Sequence, residues 1–259
     1  MKKIVLLLIL TFGSKLAFAD CSSSGMYFFP EQKEISISSI FIIQGYYNSQ
    51  KTINSFKNRT VYLENENGEL IELNLQEILT GQMHLTQAIF CPTEDLKPNT
   101  TYYLKYSDQT ESETKKMLVY NRDKEKREKV YWKTTEKKAI KAINPNLKVE
   151  FENTAVVHYG CGTSANAIFN IKNKLDSEIW FKTEVVDLST NSKNVFYITE
   201  WDDKLNVGHG MCSGAFTYKN KGKYKVRFTP MNIDGKSLKT TNWIIFESPF
   251  MNDKGPFGN

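Results

Sequence analysis

Apolar and polar residues exchange places at every second position through most of this chain. That period of two selects extended strands over amphipathic helices, which need a period of 3.6. Ile35-Ser36-Ile37-Ser38 and Thr60-Val61-Tyr62-Leu63 carry the rhythm early, and Glu69-Leu70-Ile71-Glu72-Leu73-Asn74-Leu75 carries it again after Glu66-Asn67-Gly68. An Asn-Gly step tolerates the positive φ that tight hairpin turns require, so residues 61–75 are expected to form a hairpin. Further strands are expected over 165–171, 179–186, 195–199, 223–229 and 240–247, separated by polar turns at 172–177 and 189–193 and by Asp234-Gly235. Helical signals are confined to 73–79 and 136–143. The expected fold class is all-β.

The N-terminus follows a different logic. Lys2 and Lys3 precede an apolar run from Ile4 to Phe12 and then Ala17-Phe18-Ala19, the order of a cleavable secretory signal with its cut after Ala19. The run falls well short of the roughly 20 apolar residues that cross a bilayer as a helix, so no stable membrane span is expected. Asp20 stands between Ala19 and Cys21, where a lipid-anchored chain would place a small residue directly before the cysteine. The expectation is soluble export, to a periplasmic or extracellular location. Cleavage would remove three lysines and no acid, lowering the formal charge from +5 to +2. Nucleic-acid binding needs a concentrated basic face, and so little excess charge argues against it. The densest charge, Arg122 to Lys141, mixes acids with bases and suits a solvated edge strand and linker.

Four cysteines remain after cleavage, Cys21, Cys91, Cys161 and Cys212, and an oxidising compartment predicts two disulfides. Three pairings are possible. Cys21 with Cys91 and Cys161 with Cys212 is favoured, because each bridge then stays within one half of the chain.

Leu96-Lys97-Pro98-Asn99-Thr100-Thr101-Tyr102-Tyr103-Leu104 places Leu, Pro, Thr, Tyr and Leu at alternate positions. The pattern resembles the corner of fibronectin type III and bacterial immunoglobulin-like domains, in which a tyrosine at the start of a strand folds its hydroxyl back onto the preceding corner. Gly222-Lys223-Tyr224-Lys225-Val226-Arg227-Phe228, followed by the Asp-Gly turn, looks like the late hairpin of a second such sandwich. The resemblance implies two tandem immunoglobulin-like β-sandwich domains and implies nothing about a ligand. On this basis 1–19 is the signal peptide, 20–135 the first sandwich, 136–146 a linker, 147–248 the second sandwich and 249–259 a frayed tail.

One constellation has metal-ligating chemistry. His158-Tyr159-Gly160-Cys161 and His209-Gly210-Met211-Cys212 repeat His-x-x-Cys, and two imidazoles with two thiolates would suit zinc or copper. The competing expectation is a disulfide between Cys161 and Cys212 with no cofactor. Cys212 beside His209 could also form a nucleophilic pair, but export disfavours the free thiolate this needs. Glu200-Trp201-Asp202-Asp203 could supply calcium oxygens or hydrolytic carboxylates, although a polar loop is the simpler role. No catalytic residue is assigned, and an enzyme is not expected. Aromatic residues are plentiful at Tyr27-Phe28-Phe29, Phe41, Tyr46-Tyr47, Tyr102-Tyr103, Tyr131-Trp132 and Trp201. Exposed aromatics are common platforms for proteins and sugars. Tyr46, Tyr47 and Trp201 are the expected contacts of a non-catalytic module that binds a protein or glycan.

Overall fold

The two-residue rhythm becomes seventeen strands in a computed structural model, which describes residues 24–121, 124–136 and 142–255. The predicted signal peptide, Cys21, residues 137–141 of the predicted linker and residues 256–259 of the predicted tail lie outside the described residues. In the first half the strands are β1 (Ser24–Phe29), β2 (Glu34–Ile35), β3 (Phe41–Tyr47), β4 (Val61–Asn65), β5 (Leu70–Thr80), β6 (Leu85–Pro92), β7 (Thr101–Tyr106), β8 (Leu118–Asn121), β9 (Lys126–Lys129) and β10 (Tyr131–Thr134). Eight of them make one sheet in the order β1-β3-β6-β5-β4-β7-β10-β2, and β8 pairs with β9 as a separate ribbon. All neighbours are antiparallel except β10 with β2.

This sheet must curl. Laid flat, seven inter-strand spacings would hold β1 and β2 about 34 Å apart. The short connection from Phe29 to Glu34 spans at most about 18 Å. The sheet therefore folds back on itself and encloses Phe41, Phe90, Tyr102, Tyr106 and Trp132, all fully buried. Phe41 meets Trp132 edge-on at 4.8 Å between ring centroids, and the Trp132 indole donates to the Pro30 carbonyl at 2.8 Å.

The second half contains β11 (Lys148–Tyr159), β12 (Gly162–Lys172), β13 (Ile179–Asp187), β14 (Lys193–Ile198), β15 (Lys204–His209), β16 (Lys223–Asn232) and β17 (Ile244–Glu247). They form a three-stranded sheet, β11-β12-β15, and a four-stranded sheet, β14-β13-β16-β17. Phe169 of the first meets Phe228 of the second at 5.1 Å, so the two layers share one aromatic core. The architecture is all-β and sandwich-like.

The corner geometry implied for residues 96–104 is present, and the same geometry recurs, unanticipated, at Tyr224. The Tyr102 hydroxyl accepts from the Lys97 amide at 2.9 Å, and the Tyr224 hydroxyl accepts from the Lys219 amide at 2.9 Å. Each tyrosine reaches back five residues and is buried. The 61–75 hairpin is formed by β4 and β5 around Gly68 at φ +80°. Residues 73–79, expected as a helical turn, instead continue β5. The register slips between Leu75 and Glu77, and this bulge brings Leu75, Ile78 and Leu79 into helix-like spacing without any helix.

Two short helices were not expected: α1 (Gln50–Ser55) and α2 (Glu111–Lys116). In α2 the Thr110 hydroxyl accepts from the Glu113 amide while the Glu113 carboxylate accepts from the Thr110 amide, a reciprocal cap. The tail is tied down as far as Asp253. A 3-10 turn at Pro249–Asn252 buries Pro249 and packs on β11 and β12, and Asp253 pairs with His158.

The two halves exchange core residues. Trp180, Tyr197, Met231 and Ile233 belong to the first core, and Leu85 belongs to the second. Buried Gln87 donates to Tyr197 O at 2.8 Å and to Gln44 Oε1 at 2.9 Å, and accepts from Tyr197 N at 3.0 Å. The Glu178 carboxylate accepts the amides of Glu31 and Gln32 and the Trp180 indole N–H. Burial holds its pKa above the usual carboxylate value despite these bonds. Met83 and Gly214 exchange backbone hydrogen bonds of 3.1 and 2.8 Å.

Candidate functional site

Trp201 owes its exposure to an unusual turn. Asp202 and Asp203 both adopt positive φ, +55° and +57°. Such a two-residue turn matches strand twist but disfavours ordinary L side chains, of which aspartate is among the more tolerant. Trp201 and Lys204 close the turn with backbone bonds of 2.8 and 3.1 Å. The base is held by ion pairs of Lys174 with Glu200 and of Lys204 with Glu152. The indole at this pinned turn is 79% exposed, the most exposed of the large hydrophobic side chains described. Asp202 and Asp203 occupy the two turn positions, with Asp203 turned mainly to solvent.

Tyr46 and Tyr47 lie elsewhere, at the end of β3, and both are half-buried rather than forming the expected exposed pair. The Tyr46 ring lies against Gly25 on the paired strand β1, where a Cβ would come within 2.3 Å of it. Tyr47 stacks on His84 at 4.6 Å, and its amide donates to the His84 carbonyl at 3.0 Å. Both residues hold positive φ, near +50°.

A second aromatic surface opens beside edge strand β1. A groove of about 420 Å³ is bordered by Tyr27 of β1, Tyr120 of β8 and Tyr131 of β10, with Lys33, Asn121 and Glu128 at its rim. Tyr27 is 51% and Tyr120 60% exposed. Tyr27 leans on Tyr46 at 6.0 Å, and burial, followed by the neighbouring Tyr46 hydroxyl, raises its pKa. Lys33 lies over the Tyr131 ring at 5.3 Å, and burial pulls its ammonium below the usual lysine value. Hydrogen bonds from Lys124 and Asn121 hold Glu128 below the usual carboxylate range.

The paired His-x-x-Cys residues are engaged individually. His158 Nε2 faces Asp253 at 2.9 Å and its Nδ1 faces Thr163 Oγ1 at 3.2 Å. His209 is buried with Nδ1 2.9 Å from the Gly210 carbonyl, which can only accept, so this nitrogen carries the proton. Cys161 Sγ lies 3.1 Å from Met211 Sδ. Among the described residues no three His, Cys, Asp or Glu side chains are grouped to hold a metal, so His158, Cys161, His209 and Cys212 do not converge as a zinc or copper set.

No two cysteines stand at disulfide distance among the described residues, which corrects the expected bridge of Cys161 with Cys212. The hairpin tip turns the Cys161 sulfur toward Met211 instead. Cys91 carries a thiol whose pKa is pushed up by burial, and its expected partner Cys21 lies outside the described residues. No helix among the described residues is long and apolar enough to cross a membrane.

No family model matches the chain, and no curated protein matches it. Among solved structures it is similar to the pullulanase of Anoxybacillus sp. LM18-11 in complex with maltotriose, at 5% identity and a TM-score of 0.25. That alignment covers 85% of this chain and 25% of the pullulanase. A DUF4785 family protein from Legionella pneumophila is similar at 8% identity and a TM-score of 0.22, over 85% of this chain and 56% of that one. This chain thus spans a minor part of the first and about half of the second. At these scores the likenesses carry no argument about site or activity.

Proposed function

We propose that this chain is an exported, non-catalytic binding module, working in the periplasm or outside the cell, that contacts a protein or glycan through surface aromatics. In this reading it is built as two tandem immunoglobulin-like sandwiches, supported by the two tyrosine corners and the two aromatic cores. The observation that carries the function is Trp201, an indole presented to solvent on a turn fixed by backbone bonds and ion pairs. Large, rigid aromatics held this way dominate recognition surfaces because little side-chain entropy is lost when they are covered.

The test compares the mature chain with Trp201→Ala on a printed glycan array and against surface and secreted proteins of its native compartment. The expected result is at least one saturable partner whose affinity falls about tenfold in the variant, a common loss for an aromatic anchor. Equal binding by both proteins to every partner removes Trp201 from the function.

A further inference from the structure

We propose that the groove bordered by Tyr27, Tyr120 and Tyr131 is a binding site for a neutral oligosaccharide. This deepens the binding-module reading and rests on it, but it uses a surface on the other half of the chain from Trp201. The cavity, about 420 Å³, falls within the ~300–1,000 Å³ typical of small-molecule sites.

The mixture of side chains selects the ligand class. A sugar ring has apolar C–H faces and a rim of hydroxyls that both donate and accept. Tyr27 and Tyr120 offer partly exposed rings for the faces. Around them, Lys33 and the Asn121 amide donate, while Glu31 and Glu128 accept. A wholly apolar occupant would bury the Lys33 and Glu128 charges without replacing their water, at a large desolvation cost. A polyanionic glycan is disfavoured for a different reason. Two carboxylates and one ammonium line the cavity, and the neighbouring Lys124 and Lys126 are already paired with Glu128, which leaves Lys33 as the cation in the lining for an anion to meet.

The walls are braced before any ligand arrives. Tyr27 rests on Tyr46, which itself fills the space over Gly25. Tyr131 is flanked by Tyr103 at 6.2 Å and capped by Lys33. Little ordering cost would remain for binding. Position also favours a chain-like ligand: β1 is the edge of its sheet, so one side of the groove is a strand border, not a closed wall.

The experiment titrates the mature protein by calorimetry with cellohexaose, chitohexaose and maltohexaose, and with a heparin hexasaccharide as the anionic counterpart. At least one neutral hexasaccharide is expected to saturate, with the anionic one at least tenfold weaker. Tyr120→Ala, at an exposed ribbon position, should weaken binding about tenfold, and Tyr27→Ala similarly. Tyr120→Phe should retain most of the affinity, and Ile245→Ala, at an exposed position on the other half of the chain, should leave it within about twofold; Trp201→Ala is titrated beside them. Circular dichroism of each variant checks that the strands persist.

Saturation by none of the neutral probes overturns the proposal, as does tighter binding of the heparin fragment. Neutral-glycan binding lost in Trp201→Ala but intact in Tyr120→Ala overturns the groove and leaves the binding-module reading standing. Dependence on Tyr120 and Tyr27 with indifference to Ile245 supports the groove.

Discussion

Tyr102→Phe and Tyr224→Phe test whether the two corners hold the fold in the way their geometry indicates. Each substitution removes one oxygen that accepts a backbone amide at 2.9 Å, from Lys97 and Lys219 respectively. The ring still fills its buried site, so cavity formation contributes almost nothing, and the loss is that of a partly buried N–H left without its acceptor. Such groups cost about 1–3 kcal/mol, so about 2 kcal/mol is expected from each variant. For a chain of this size that corresponds to about 4–8 °C in Tm. Tyr103→Phe is the control, since Tyr103 alternates to the opposite face of β7 and is only half-buried; it should change stability by less than about 0.5 kcal/mol. The assay is thermal unfolding followed by calorimetry and circular dichroism, with urea titration to obtain free energies. Because the two tyrosines occupy different cores, the double variant should show the sum of the single losses to within about 0.5 kcal/mol. A loss below about 0.5 kcal/mol in either single variant, or an equal loss in Tyr103→Phe, refutes the reasoning.

Gln87→Leu leaves both the amide and the carbonyl of Tyr197 without their side-chain partner at the junction of the halves, and should lower stability by about 2–5 kcal/mol. An unchanged urea midpoint would show that water replaces the glutamine there. The Glu113 carboxylate is held down to about 2, first by its hydrogen bonds with Arg59. Because its folded-state value is depressed, its contribution is fully present above the ordinary glutamate value and fades as pH falls toward 2. Wild type should therefore melt above Glu113→Gln at pH 7, with the gap closing in acid; a gap constant from pH 7 to pH 2 contradicts the assignment.

Local chemistry made much of the fold visible in the sequence. Alternation over 165–171 and 223–229 marks strands because one face of each is buried, and the Asn67-Gly68 turn is required by φ +80° at Gly68. The Tyr102 corner was legible because all its parts lie within nine residues. The β5 bulge misleads for the same local reason, since one inserted residue changes the apparent period without changing the element. The cap of α2 was also present in Thr110-x-x-Glu113 but is a brief signal amid strand patterning. Tyr46 looked exposed because nothing nearby in sequence shows that Gly25 across the sheet leaves room for its ring. The groove is harder still to read: Tyr27, Tyr120 and Tyr131 come from widely separated strands, and only the curled sheet and its ribbon bring them to one cavity.

The exchange of core residues at the junction gives the molecule the character of a strut. Trp180, Tyr197, Met231 and Ile233 are embedded in the first core, while Leu85 is embedded in the second, so bending there would strip buried side chains from both. A partner long enough to touch both Trp201 and the tyrosine groove would meet two contacts at a set span. Its gain from engaging both would then depend on matching that span, since the interlocked cores leave little freedom to absorb a mismatch.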